Sequence, residues 1–326
     1  MEEKGRIGIP KALMFYRYFP LWQTFFKELG WQVTVSDGLG KKGKIIYFED
    51  SCLPMKLLVT HAVFLKDKVD HLFIPRLVSL HRTNILCPKF RGAPDIVRLA
   101  TGGDVSIIDE TIDLRDKGSS VLQTFLKIGT KVGASPKETK QAFSKAHKFF
   151  LTFQQAFGDR INHFPSKKLF DLEVSTPYGE KKSPPLKVAL IGHPYNLFDI
   201  DINKDIITLI KGLDIGVVTS DHLSGEEIDR QLSGLSKEIY WSSGREIVGS
   251  LFHFLSGGVD GVIFITSFKC GIDALLQEFI KRKLKVQGGA SLPFLTLSFD
   301  EHTGREGLTT RLEAFRDVME QKKHEN

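Results

Sequence analysis

The sequence predicts an α/β protein made of two similar halves with mainly parallel sheets, joined by a helical segment. Short apolar runs of strand length alternate with amphipathic helical patterns along the chain. This alternation is typical of parallel sheets that are covered by helices on both faces. A second observation is an internal repeat, in which Gly8 and Pro10 match Gly192 and Pro194 at one constant offset. The same strand–turn–helix–strand order at both places predicts two βαβ-type halves.

The first predicted domain covers residues 1–118. Residues 6–10 predict a short strand that ends in a turn, followed by an amphipathic helix to Leu29 and a strand that ends at Asp37. Two further apolar runs, residues 44–48 and residues 71–74, predict additional strands of this half.

Residues 119–185 predict a helical segment and a linker. Residues 121–128 and 137–157 have helical periodicity, and Ser135 followed by Pro136 is a start signal for the second helix. The phenylalanines of this helix recur at helical spacing, which is typical of core packing. Prolines, serines and lysines in residues 167–185 indicate a connector.

The second predicted domain, residues 186–326, repeats the order of the first. Residues 188–194 predict a strand and a turn, followed by a helix to Leu213 and a strand that ends at Asp221. Apolar runs at residues 259–265 and 294–297 predict two further buried strands.

Composition and charge narrow the classes of partner. A chain that is 41% hydrophobic is not disordered, and its net charge of +6 permits an anionic partner. No recognition helix, zinc finger or RNA-binding motif is visible, so we expect no nucleic acid partner. No dinucleotide fingerprint or phosphate-binding lysine loop is visible either. Because we see no secretory signal and no membrane-length apolar stretch, we expect a cytoplasmic protein without membrane contact.

The three cysteines lie just beyond the predicted carboxyl ends of strands. Cys52 and Cys87 follow strands of the first half, and Cys270 follows a strand of the second half and precedes a helix. Ligands of open α/β sheets bind at this edge, whereas structural thiols more often lie inside strands or on helix faces. The position therefore leaves two interpretations open, a metal or cluster site and three unrelated buried thiols. Their odd number argues against a disulfide framework.

The kind of metal centre follows from the spacing of the cysteines. No Cys-x-x-Cys pair is present, so a zinc ribbon is not expected. A 4Fe–4S cluster with three thiolate ligands and one open or non-cysteine position fits three separate loops better. The start of a helix at Cys270 favours its thiolate form. A catalytic thiol assisted by His193 or His302 is a third interpretation.

Two further groups of polar residues follow strands of the second half. His193 and Tyr195 follow the first of these strands, and Asp300, Glu301 and His302 follow the last one. Each group has a simpler interpretation, a hydrogen-bonded turn for His193 and helix capping for Asp300. The functional interpretation gives all five residues a catalytic role at the sheet edge.

Five sequence motifs carry a family resemblance that extends from Ile7 to about Met319. They are GIPKAL at residues 8–13, DSCLP at 50–54, CPK at 87–89, FKCG at 268–271, and DEHTGREG at 300–307 with TRLEAF at 310–315. In these motifs the chain resembles the CoA-substrate-specific enzyme activase-related proteins, an uncharacterised domain family related to 2-hydroxyacyl-CoA dehydratase subunits.

The resemblance implies a pair of Rossmann-like domains with a 4Fe–4S cluster in the cleft between them. Cys52, Cys87 and Cys270 become the cluster ligands by position. It also implies that a separate actin-fold ATPase activase delivers electrons at the expense of ATP. The chain is then the electron acceptor of a low-potential reductase or dehydratase-like system. The implied substrate is an acyl-CoA, and the implied assembly is a homo- or hetero-oligomer. A non-catalytic electron carrier, a scaffold and a structural zinc protein stay open as alternatives.

Overall fold

The computed structural model describes residues 4–37, 45–46, 48, 51–174, 184–235, 237–286 and 292–325. It divides into two compact units. Unit 1 comprises Met1–Phe153 with Tyr240–Ser242, and unit 2 comprises Gln154–Ile239 with Ser243–Asn326.

Unit 1 is built on a four-stranded parallel sheet with the strand order β2-β1-β3-β5, and β4 and β6 form a separate parallel pair. Its strands are β1 (Arg6–Ile9), β2 (Gln32–Val35), β3 (His71–Phe73), β4 (Arg76–Ser79), β5 (Ser106–Ile108) and β6 (Thr111–Asp113). Its helices are α1 (Phe15–Glu28), α2 (Leu53–Leu65), α3 (Pro88–Ala100), α4 (Val121–Lys131) and the first part of α5 (Pro136–His163).

Helices α1 and α2 show why these segments cover the sheet of unit 1. In α1 the buried aromatic residues recur on one face, and Trp22 packs edge-on against Phe73 of β3 at 5.2 Å. In α2 nearly every side chain is buried, including the polar His61. A helix that is buried all round belongs inside the fold, whereas α1 has the one-sided pattern of a surface helix.

Unit 2 is built on a second four-stranded parallel sheet, with the strand order β10-β9-β7-β8. Its strands are β7 (Leu186–Gly192), β8 (Ile215–Val218), β9 (Gly261–Ser267) and β10 (Phe294–Phe299). Its helices are α6 (Pro194–Phe198), α7 (Ile200–Asn203), α8 (Ile206–Gly212), α9 (Gly225–Leu232), α10 (Ser242–Leu255), α11 (Gly271–Val286) and α12 (Arg305–Glu325). All seven residues of β9 are buried, as expected for a central parallel strand.

The two sheets have the same topology. Reading from the second strand of each unit, the order β2-β1-β3-β5 matches the order β8-β7-β9-β10. This agreement confirms the predicted α/β class, with two similar halves and mainly parallel sheets. Among the described residues, no helix is long and apolar enough to cross a membrane.

Two predicted elements differ from the structure. The single helix expected before Leu213 is three short helices. The first break lies at Asp199, whose backbone is extended with φ of −83° and ψ of 108°. The second lies at Lys204 and Asp205, whose backbones are left-handed with φ of 58° and 64°. The strand expected at residues 44–48 is not a strand at its described residues 45, 46 and 48. There the backbone N–H of Ile46 donates to the Thr60 hydroxyl at 2.9 Å, and the other two residues lie outside the described part.

The phenylalanine pattern of α5, predicted to pack in the core, does so only in part. Ala142, Ala146, Phe150 and Phe157 are buried, whereas Phe149 is exposed. The connector predicted at residues 167–185 begins within a short 3-10 helix, Ser166–Lys168, and residues 175–183 lie outside the described part.

Candidate metal site at the carboxyl edge of the sheets

In unit 1, Cys52 and Cys87 each stand directly before a helix. Cys52 is the N-cap of α2 and Cys87 is the N-cap of α3. These helices lead into β3 and β5, so they run back across the parallel sheet and begin at its carboxyl edge. N-caps are usually Ser, Thr, Asp or Asn, whose side chains accept a hydrogen bond from the first turn. Neither cysteine side chain makes that capping hydrogen bond.

The beginnings of α2 and α3 are neighbours within unit 1. The ammonium group of Lys89, in the first turn of α3, donates to the hydroxyl of Ser51 at 3.4 Å. Because Ser51 precedes Cys52 and Lys89 lies two residues after Cys87, this contact places both cysteines at one place on the sheet edge. Both cysteines are partly exposed, and neither forms a disulfide.

In unit 2, His193 lies at the end of β7, where this strand closely approaches β9. Gly192 pairs with Ile265 of β9. A Cβ atom at Gly192 would lie 2.7 Å from the backbone oxygen of Ile265. His193 then caps α6, because its carbonyl accepts hydrogen bonds from the backbone of Asn196 and Leu197. The close approach of the two strands sets the position of the imidazole.

Cys270 lies at the end of the neighbouring strand β9, in the turn that starts α11. Lys269 has a left-handed backbone with a φ of 64°, which turns the chain sharply. The backbone N–H of Cys270 donates to the carbonyl of Ser267 at 3.0 Å. The carbonyl of Cys270 accepts from Ala274 at 3.1 Å in the first turn of the helix. Because β7 and β9 are adjacent and parallel, His193 and Cys270 reach the same edge of this sheet.

Three possible metal ligands meet at this edge of unit 2. One donor atom each from His193, Cys270 and Asp273 lies within 4.8 Å of the other two. The Nε2 atom of His193 is 2.8 Å from the Oδ1 atom of Asp273. His193 is 2% exposed and Asp273 is 1% exposed, whereas Cys270 is partly exposed. Two of the three residues are therefore almost completely removed from solvent.

The carboxylate of Asp273 is held in place by its second oxygen. The Oδ2 atom accepts the backbone N–H of Ser267 at 3.2 Å and the side-chain amide of Asn196 at 3.3 Å. The hydroxyl of Ser267 donates to the Oδ1 atom of Asn196 at 2.7 Å. The ring of Tyr195 stacks on the imidazole of His193, with ring centroids 4.9 Å apart. This buried network fixes both side chains before any ligand binds.

Two facing atoms of this group, Nε2 of His193 and Oδ1 of Asp273, have no hydrogen-bond partner among the described residues. Although Nε2 of His193 and Oδ1 of Asp273 are close, no hydrogen bond of acceptable geometry joins them, and Nδ1 of His193 also has no partner. Buried polar atoms in proteins are nearly always satisfied, and a buried carboxylate oxygen without a partner is costly. An imidazole, a thiol and a carboxylate that converge in this way fit a bound metal ion.

The predicted residues Asp300, Glu301 and His302 lie in a turn after β10. The Oδ1 atom of Asp300 accepts the Thr303 hydroxyl at 2.7 Å and the backbone N–H of His302 at 3.0 Å. The hydrogen bond from Thr303 is the main reason that the pKa of Asp300 lies below its ordinary value. His302 is exposed, and none of the three residues belongs to the His193–Cys270–Asp273 group. A catalytic role for them stays a prediction.

Asp273 was not among the residues that the sequence indicated. It lies three residues after Cys270, in the first turn of α11, where an acidic residue has an ordinary explanation as a helix-stabilising charge. The sequence signal that could have indicated Asp273 is its position three residues after Cys270. That spacing does not show that β7 brings His193 to the same place.

These features define the class of the protein. It has two parallel α/β units that carry cysteines at the helix starts along their sheet edges, and one unit places a histidine and an aspartate beside its cysteine. The chain belongs to the CoA enzyme activase uncharacterised domain family, whose family model matches residues 6–223. This match confirms the resemblance found in the sequence. No curated protein matches the chain.

Proposed function

We propose that the protein is an iron–sulfur component of an ATP-driven, low-potential reductase system. In this proposal Cys52, Cys87 and Cys270 ligate a 4Fe–4S cluster, and a separate actin-fold ATPase activase is the electron donor. One observation carries the proposal: each of the three cysteines occupies the position directly before a helix, at the carboxyl edge of a parallel sheet, and is partly exposed. Membership of a family named for CoA enzyme activation supports the choice of electron donor.

The donor chemistry fits such a cofactor. Cysteine thiolates are the usual ligands of iron–sulfur clusters, and hydrogen bonds to the cluster sulfur atoms tune its potential. The first N–H groups of a helix have no partner within the helix, although Pro54 and Pro88 each remove one such group from α2 and from α3. When bound, a cluster of this type supplies one-electron transfer at low potential.

An acyl-CoA is the substrate class that we propose, in line with the CoA enzymes of the family description. Side chains at the sheet edge of unit 2 would then tune the centre or move protons. They are His193, Tyr195, Asp300, Glu301 and His302. To separate an enzyme from an electron carrier, acyl-CoA compounds are titrated against the absorption spectrum of the reconstituted protein. A spectral change supports the enzyme, and an unchanged spectrum with every compound supports the carrier.

The cluster is tested by anaerobic reconstitution with iron and sulfide, followed by absorption and electron paramagnetic resonance spectra. We expect a brown protein with the spectrum of a 4Fe–4S cluster. Replacing Cys52, Cys87 or Cys270 by Ala should each abolish or strongly reduce that spectrum. Ser106→Ala is the control, since it alters an exposed serine at the amino end of β5 and removes no thiol. Retention of the full spectrum in any one cysteine variant would remove that residue from the ligand set.

A further inference from the structure

The nitrogen and oxygen donors beside Cys270 are not ligands of the proposed three-cysteine cluster. We propose that His193, Cys270 and Asp273 together bind one divalent transition-metal ion, without help from Cys52 or Cys87. The inference deepens the proposed function and rests on it in taking Cys270 as a metal ligand. It adds a second metal state, in which unit 2 binds a single ion by itself.

The separation of the donor atoms favours a single ion. Ligands of one zinc ion lie about 2.0–2.3 Å from it, so two of them can be at most about 4.5 Å apart. The three donor atoms of this group already lie within 4.8 Å of one another. Small movements of the side chains therefore suffice to close them around one ion.

Burial without hydrogen-bond partners favours a bound cation between His193 and Asp273. The Nε2 atom of His193 and the Oδ1 atom of Asp273 have no hydrogen-bond partner among the described residues, although both residues are almost completely buried, at 2% and 1% exposure. Nε2 of His193 and Oδ1 of Asp273 lie 2.8 Å apart without forming a hydrogen bond, and a metal ion bound by both atoms would satisfy them.

The donor set selects the class of ion. One thiolate, one imidazole and one carboxylate are borderline ligands that suit Zn²⁺, Fe²⁺ or Co²⁺, whereas Ca²⁺ and Mg²⁺ prefer oxygen ligands throughout. The thiolate and the carboxylate carry two negative charges, which a divalent cation balances. Three protein ligands leave a fourth position for water or a substrate, as in catalytic zinc sites. Partial exposure of Cys270 leaves a route to that position.

Sharing of Cys270 makes the single ion and the cluster exclude each other. A zinc ion on His193, Cys270 and Asp273 uses the thiolate that the cluster also needs. We therefore expect Zn²⁺ added before reconstitution to reduce the amount of cluster formed. The same addition to His193→Ala should have a much smaller effect, because that variant lacks the nitrogen ligand.

The site is tested by anaerobic Co²⁺ titration of the full-length protein, with absorption spectra that report thiolate-to-cobalt charge transfer. The decisive sample is the double variant Cys52→Ser/Cys87→Ser, which retains Cys270 as its one thiol. We expect it to bind one Co²⁺ per chain with a charge-transfer band. His193→Ala and Asp273→Ala, each added to that variant, should weaken Co²⁺ binding by at least about 100-fold, more than loss of an outer-shell partner does.

Two further variants separate ligation from misfolding. His253→Ala, in α10 of the same unit, is the matched control and should bind Co²⁺ like its parent. His193→Cys restores a ligand of different type, so it should bind Co²⁺ with a stronger charge-transfer band than the parent. A purely structural histidine would not give that gain. Thermal unfolding without metal verifies that each variant is folded.

The outcomes distinguish the two proposals. If the double variant binds no Co²⁺ while the wild-type protein forms the cluster, the single-ion site is wrong and the cluster stands. If the double variant binds Co²⁺ through His193 but the wild-type protein forms no cluster, the single-ion site stands alone. Binding that survives His193→Ala and Asp273→Ala unchanged would overturn the single-ion proposal.

Discussion

Gly192 controls the distance between the ends of β7 and β9. A methyl group there would meet the backbone oxygen of Ile265 at 2.7 Å and the side chain of Leu197 at 3.1 Å. A backbone atom in a buried sheet cannot move aside cheaply, so the strands themselves would have to separate. His193 follows directly and would move with its strand.

We therefore expect Gly192→Ala to lower the free energy of unfolding by about 1–3 kcal/mol, the usual range for overpacking a buried site. It should also weaken Co²⁺ binding by the His193 group. Urea unfolding and Co²⁺ titration measure the two effects. Gly225→Ala is the control, because no atom lies within 4 Å of the position of its Cβ. Equal stability of Gly192→Ala and the wild-type protein would show that the strand ends are not in tight contact.

His61 is a buried histidine of unit 1, on α2, without a hydrogen-bond partner among the described residues. Burial lowers its pKa to about 3, and the positive charge of Lys11 adds to this while Asp37 opposes it. In the unfolded chain the pKa of a histidine is about 6.5. Between these two pKa values the unfolded state binds more protons, so the stability contributed by neutral His61 is lost as the pH falls through that window.

We expect this loss to amount to about 2 kcal/mol between pH 7 and pH 5, since each pH unit below the unfolded pKa contributes about 1.4 kcal/mol. His61→Leu should remove that part of the pH dependence. The check is urea unfolding of both proteins at pH 5, 7 and 8. Between pH 7 and pH 8 the difference between the two proteins should stay nearly constant. An identical fall in stability for both proteins below pH 7 would contradict the assignment to His61.

At the scale of elements, the starts of α2 and α3 have cysteine where serine or aspartate would stabilise the helix better. Cys52 has the extended backbone of a true N-cap, with φ of −71° and ψ of 154°, but its side chain does not cap the first turn. The proposed metal ligation gives these two cysteines a role that helix capping does not.

Cys52→Ser separates these two roles. A serine hydroxyl can accept a first-turn N–H, so the metal-free variant should be about 1 kcal/mol more stable than Cys52→Ala, the usual gain from a serine cap. Both variants should nevertheless fail to assemble the cluster. Thermal unfolding of metal-free protein and the absorption spectrum after reconstitution provide the readouts. If Cys52→Ser reconstituted as fully as the wild-type protein, Cys52 would not be a ligand.

The strands of both sheets could be predicted because their signal is local. An apolar run such as residues 259–265 has few alternatives to a buried strand, and the structure has β9 at Gly261–Ser267. The prediction of one helix after β7 was wrong because two breaks, at Asp199 and at Lys204 with Asp205, depend on backbone angles. The side chain of Asn203 stabilises the second break by accepting the backbone N–H of Asp205 at 2.9 Å. A left-handed lysine has no sequence signature.

At the scale of the whole molecule, the repeat explains what could be predicted of the site. Because each unit has the same strand order, residues that follow its strands were expected at the carboxyl edge, and His193 and Cys270 are found there. The role of Asp273 could not be predicted, because it depends on the 2.8 Å contact of its Oδ1 atom with Nε2 of His193, eighty positions earlier in the chain. Only the pairing of β7 with β9 creates that contact.

The iron–sulfur function is tested most directly by metal and sulfide analysis of protein purified and kept without oxygen. Exposed thiolates and clusters oxidise in air, so anaerobic handling is essential. We expect a brown protein with about four iron and about four sulfide per chain, as a 4Fe–4S cluster requires. A colourless protein that contains one zinc and no sulfide, and that takes up no iron on reconstitution, would contradict the iron–sulfur function.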